Sequence, residues 1–120
     1  MPKLTSLLLN LGHALDHLFL LIFATAVGAI AVDFGVGRWE DMMPYTVGAF
    51  VMFGIGSIPA GRLGDLWGRR RMMVVFYAGM GLSGLLVALT QSPWQMAVAL
   101  TLLGAFSAIY HPVGIPFLVQ

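Results

Sequence analysis

The chain has 120 residues, of which 59% are hydrophobic and only 9% charged, with a mean hydropathy of +0.91. Soluble domains carry about a quarter charged residues, so these residues cannot cover an apolar core with a polar shell, and the solvent they suit is lipid. A net charge of +1 gives no sign of a nucleic-acid partner, and the absence of cysteine excludes disulfides, thiolate nucleophiles and thiolate metal sites.

Leu4 to Ala31 is one apolar stretch of about 28 residues, enough to span a hydrocarbon core of roughly 30 Å with some tilt. Lys3 and the small residues Ala24-Thr25-Ala26 also suit a signal peptide, but the run is too long and His13, Asp16 and His17 interrupt it. The stretch is therefore expected to be a first transmembrane helix. Val32 to Met43 gathers Asp33, Arg38, Glu40 and Asp41 around Gly35 and Gly37, which is loop chemistry. Pro44 suits the first turn of a second helix, expected over 43–61. Gly48, Gly54, Gly56 and Ser57 give that helix flat faces for close packing in lipid.

Gly61 to Arg71 is expected to be a basic loop, followed by a third helix over 72–90. Ser92-Pro93-Trp94-Gln95 carries the residues of a capping box, which starts a fourth helix over 93–119, interrupted late by Pro112 and Pro116. The fold class is thus an all-α membrane protein of four transmembrane helices. Lys3, Arg62, Arg69, Arg70 and Arg71 fall on one side and Arg38 alone on the other. The positive-inside rule then places both the N-terminus and the C-terminus in the cytoplasm, in a multi-pass protein of the inner (plasma) membrane.

The loop Gly61-Arg-Leu-Gly-Asp-Leu-Trp-Gly-Arg-Arg-Arg-Met-Met carries more than an anchor's charge, because anchoring alone requires neither its glycines nor Asp65. It resembles the loop between the second and third helices of the major facilitator superfamily, with Gly61, Leu63, Asp65, Gly68, Arg69 and Arg70 in register. Gly64, Leu66 and Met73 depart from that pattern. The resemblance implies a secondary transporter whose two six-helix halves rock about a central site. It further implies that this chain corresponds to the first four of twelve helices, its partners being the lipid bilayer, a small-molecule substrate and either a C-terminal half or a second copy. Gly61, Asp65, Gly68, Arg69 and Arg70 would belong to a cytoplasmic gate, with Asp65 and Arg69 as its local charge pair.

Inside the membrane, Ser6, Asn10, His13, Asp16 and His17 fall within about 60° either side of one line on the first helix, continued by Leu20. An aspartate at helix centre costs roughly 2.5–3.5 kcal/mol on the insertion scale, so this stripe should face protein or water. His111, within Tyr110-His111-Pro112, should lie at the same depth as His13, and contact between the two is expected. Pro112 and Pro116 each free a backbone carbonyl, tolerated where it lines a cavity. The Tyr110-His111-Pro112 segment and the His13-x-x-Asp16 pair resemble efflux transporters of the fosmidomycin-resistance type.

The functional expectation is a substrate or proton pathway through His13, Asp16, His17, Tyr110 and His111, with protons as coupling ion and export as direction, since histidine titrates near neutral pH. The alternative is a structural network in which the histidines hold Asp16. His13 and His17 at i and i+4 also suit a metal enzyme, but Ala14 stands where an H-E-x-x-H motif needs its general-base glutamate. No enzyme activity, metal or cofactor is therefore assigned. A small four-helix transporter acting as a dimer, or a truncated product without activity, are the remaining readings.

Overall fold

The computed structural model describes residues 2–119, an elongated bundle of about 50 × 26 × 20 Å. Its first helix, α1, covers Lys3–Asp33, roughly 46 Å at 1.5 Å per residue. The helix buries Leu9, Gly12, Asp16, Phe23, Val27 and Ala31, at steps of three, four and seven residues that keep one narrow face inward. Leu4, Leu7, Leu11, Leu18 and Ile22 on the other side stay exposed, as suits contact with acyl chains.

After a turn at Gly35, whose φ is +69°, the chain enters a 3-10 segment over Trp39–Thr46. Pro44 lies inside that segment, and the α-helical geometry expected from residue 43 begins only at Val47. Helices α2, Val47–Ile55, and α3, Ser57–Trp67, form one apolar element bent by 42° at Gly56. Pro59 explains the bend, since it has no N–H to return to the carbonyl of Ile55. Hydrogen bonding continues past it, from Gly56 N–H to Met52 O and from Ala60 N–H to Gly56 O.

The expected loop over Gly61 to Arg71 is not a loop. α3 runs to Trp67, and the chain reverses at Gly68 alone before α4, Arg69–Leu89. Gly68 adopts φ +97°, ψ 138°, a region essentially closed to residues with a Cβ. Its N–H closes α3 on Gly64 O and its carbonyl opens α4 on Met72 N–H. Gly61 and Gly64 serve packing instead of a turn: a Cβ on Gly64 would stand 2.9 Å from Val113.

Ser92 caps α5, Pro93–Ser107, accepting from Gln95 N–H at 3.3 Å. The reciprocal arm of the expected capping box is displaced by one residue, because the Gln95 side chain accepts from Gln91 N–H at 2.8 Å. Past Ser107 the chain does not stop at its prolines. It widens into a π-helical turn over Tyr110–Gly114 and ends in α6, Ile115–Leu118. A π turn inserts a residue into the ladder, which relieves the clash of the Pro112 ring with the preceding turn.

The stretch Pro93–Leu118 is the centre of the bundle, with 56% of its most apolar window buried against 22% for α1 and 33% for α4. Gly104 brings α5 against the backbone of α2 at Ala49, leaving no room for a side chain. Three helices are long and apolar enough to cross a membrane, and the bent pair Trp39–Ile55 and Ser57–Trp67 brings the number to four if it is counted as one span.

Candidate functional site

The polar stripe of α1 lies on one flank of that helix's buried face, and its members meet three different environments. Asp16 is fully buried, His13 is half-buried and His17 is exposed. Asn10, one turn closer to the N-terminus, returns its amide to Ser6 O at 2.9 Å. The α1 register thus points a carboxylate inward, where α5 and the π turn meet it, and leaves two imidazoles at the rim.

Ser107, fully buried at the last turn of α5, donates its hydroxyl to Asp16 Oδ1. Asp16 Oδ2 has no hydrogen-bond partner and faces His111 Nδ1 at 3.9 Å, beyond hydrogen-bond reach but within an ion pair's. His111 itself is 38% exposed. Its ring stands edge-on to His13, His17, Phe53 and Tyr110, at interplanar angles of 88°, 81°, 89° and 87°. His13 Nε2 and His17 Nε2 lie 3.0 Å apart, so one ring donates its proton to the other. The structure therefore brings His13, Asp16, His17 and His111 into one cluster, as the shared depth of His13 and His111 predicts.

Tyr110 is placed differently from expectation. It is fully buried, its hydroxyl donates to Leu9 O at 2.8 Å, and its ring stacks on His13 with centroids 4.8 Å apart and planes 14° apart. It ties the π turn to α1 and fixes the plane of His13 without opening onto a cavity. A second tyrosine, Tyr77 on α4, donates to Leu8 O and covers Gly12. Such bonds to free lone pairs of helix carbonyls hold α1 at a set height against its neighbours.

Ser107 and Tyr77 are the contributors that the sequence reading missed. Ser107 stands four residues before His111, and that spacing puts both on one helical face, which is the signal that could have found it.

The gate residues are also placed differently from expectation. Asp65 is exposed, and among the described residues the oppositely charged contacts are Arg38–Glu40 and, when His111 carries a proton, Asp16–His111. The expected Asp65–Arg69 pair is not formed. Arg69 Nη1 donates instead to Pro116 O at 3.3 Å, a backbone carbonyl of α6. Gly61 meets the Pro112 ring and Gly64 meets Val113. The basic motif is thus packed against the same π turn that carries His111, and Arg70 is exposed at its edge.

The whole cluster sits at the edge of the bundle, where one side of His17 and of His111 is open. Chemically it offers a fixed carboxylate with one free oxygen and three imidazoles whose ring nitrogens can donate or accept hydrogen bonds.

Comparison with known proteins gives a consistent result. Residues 9–120 match the Major Facilitator Superfamily. The chain is 30% identical over 99 residues to a probable actinorhodin transporter of Streptomyces coelicolor, covering 82% of this chain and 17% of that protein. It is 34% identical over 93 residues to a probable 4-methylmuconolactone transporter of Cupriavidus pinatubonensis, covering 78% of this chain and 22% of that protein. The chain spans about a fifth of the length of these relatives. No solved structure gives a significant match.

Proposed function

Because the chain belongs to the major facilitator superfamily, we propose that it contributes four spans and a proton-coupling cluster to a secondary transporter that exports a small molecule across the inner (plasma) membrane. The observation that carries this reading is the convergence of His13, Asp16, His17 and His111 within helices long and apolar enough to span a bilayer. Charged and titratable groups within such spans are costly and face a bundle interior or a water-filled path.

The relatives are named for two different compounds, which supports the transporter class and leaves the substrate of this chain open. The Tyr110-His111-Pro112 and His13-x-x-Asp16 segments favour efflux of the fosmidomycin-resistance type within that class. The five basic residues on one side favour a cytoplasmic position for Gly68 and for both chain ends.

The proposed step begins with His111. With a proton on its imidazole, the free Asp16 Oδ2 and the Nδ1–H attract one another and the 3.9 Å gap closes. Loss of the proton releases His111 toward the open side, where His17 and a substrate can reach it. Ser107 keeps the carboxylate aimed throughout, and Arg69, bound to Pro116 O, ties α6, which directly follows the π turn, to the basic motif. Proton occupancy at His111 would in this way bias the packing of the gate.

The test is flux driven by an imposed pH gradient in proteoliposomes containing the full-length transporter. Asp16→Asn removes the charge while keeping the shape and should abolish proton-driven flux. Undiminished proton-driven flux in that variant would defeat the coupling role.

A further inference from the structure

The three imidazoles have a second capability that transport does not require. One ring nitrogen from each of His13, His17 and His111 lies within 4.8 Å of the others. Two of the three come from adjacent turns of one helix, at the i, i+4 spacing that lets imidazoles share a metal ion. The third comes from the π turn of another span, so the set closes across an interhelical contact. Absence of a general-base glutamate argues against metal-dependent hydrolysis, but it has no bearing on metal binding.

We propose that His13, His17 and His111 form a binding site for a first-row divalent transition cation, with Zn2+ as the reference ion, and that Asp16 is its positioning carboxylate. Neutral imidazole nitrogen suits Zn2+, Ni2+, Co2+ and Cu2+ and discriminates against Mg2+ and Ca2+. With metal–nitrogen bonds of about 2.0–2.1 Å, tetrahedral ligands stand roughly 3.4 Å apart. The His13 and His17 nitrogens are already at 3.0 Å, and the widest pair must close by at most roughly 1.4 Å. Exposed His17 has the freedom to make that adjustment, while Tyr110 holds the plane of His13. In the metal-free state one ring of the pair at 3.0 Å donates its Nε2–H to the other, and metal binding requires that ring to take its Nδ1–H tautomer, Nε2 losing its proton to water and Nδ1 gaining one from it.

The buried carboxylate supplies the independent observation. Asp16 is completely buried, yet Oδ2 has no hydrogen-bond partner and points at Nδ1 of His111. Metal-bound histidines usually donate the other ring N–H to a carboxylate, which sets the tautomer and strengthens the ligand. If His111 binds through Nε2, its Nδ1–H faces the orphaned Oδ2 and satisfies it once the 3.9 Å gap closes by about 1 Å. Ser107 already fixes the other oxygen. The chain Ser107, Asp16, His111, metal is therefore complete in its donor and acceptor roles. Three protein ligands leave a fourth position for water on the open side of the cluster.

The site can be tested by equilibrium binding, without any transport measurement, so its failure is separable from failure of the coupling reading. The purified full-length transporter in lipid nanodiscs is titrated with Zn2+ against a chromophoric chelator, and with Co2+ to read the visible bands of a four-coordinate ion. One Zn2+ per chain is expected, with Mg2+ unable to compete. His111→Ala and His17→Ala should each lower affinity at least about 100-fold, and Asp16→Asn about 10- to 100-fold without changing stoichiometry. His17 is exposed, so its variant opens no cavity and keeps the test valid if His111→Ala fails to fold by circular dichroism. Absence of stoichiometric Zn2+ binding, or full affinity in folded His17→Ala, overturns the site. Full affinity in folded Asp16→Asn overturns the positioning role.

Discussion

Ser107→Ala isolates the one direct hydrogen bond that the buried Asp16 carboxylate makes. Both side chains are completely buried, and the substitution keeps the Cβ, so it removes a hydroxyl and opens almost no cavity. Removing a partner from a buried polar group costs about 1–3 kcal/mol. Hydrogen bonds between membrane helices run lower, averaging about 0.6 kcal/mol with a maximum of about 1.7. The upper part of that range applies here, because Oδ2 is already unpartnered and Oδ1 then becomes so as well. The prediction is a coupling energy of about 1–1.7 kcal/mol between Ser107→Ala and Asp16→Ala in a double-mutant cycle. Reversible unfolding in mixed lipid–detergent micelles as sodium dodecyl sulfate is raised provides the assay. A cycle that closes to within about 0.3 kcal/mol of zero would refute the view that Ser107 holds the carboxylate.

Three further outcomes follow from the packing. Gly68→Ala places a Cβ at φ +97° and should destabilise the reversal by about 1–3 kcal/mol in the same unfolding assay; a loss below about 0.3 kcal/mol would contradict the conformation assigned to this residue. Gly104→Ala drives a Cβ into the backbone of Ala49, so α2 and α5 must separate, and a loss of about 1–3 kcal/mol is expected; unchanged stability would show that the helices do not approach so closely. Tyr110→Phe keeps the ring on His13 but loses the bond to Leu9 O, and should cost about 0.5–1.5 kcal/mol of stability while leaving Zn2+ affinity within about threefold of the parent; a hundredfold loss of affinity would make Tyr110 a member of the site.

The sequence carried the outline of this arrangement because the membrane makes long apolar runs and isolated charges conspicuous. Four spans could be read from hydropathy, and the polar stripe of α1 from its period. The matching depth of His13 and His111 follows from rise per residue alone, since both helices must cross the same layer. What escaped was local geometry set by neighbours. Gly61, Gly64 and Gly68 look alike as helix breakers, yet Gly61 and Gly64 stay helical because Pro112 and Val113 press against them. Only Gly68 uses the freedom of its backbone.

Side-chain partners were the other blind spot. Arg69 could be paired with Asp65 by proximity in sequence, but its guanidinium donates to the carbonyl of Pro116, 47 residues away. Tyr110 stands beside His111 in the chain but turns the opposite way, because the π turn directs it onto Leu9 and His13. Ser107 is a small polar residue among many, and its value appears only once Asp16 is found against it.

The central claim is that the flank of α1 carrying His17 faces a water-filled path while the opposite flank faces lipid. The sequence contains no cysteine, so single cysteines can be introduced without background. A membrane-impermeant maleimide applied to the full-length transporter in membranes should label His17→Cys and leave Leu18→Cys unlabelled, although both positions are exposed in the isolated chain. Equal labelling of the two, or labelling of Leu18→Cys alone, would contradict the account.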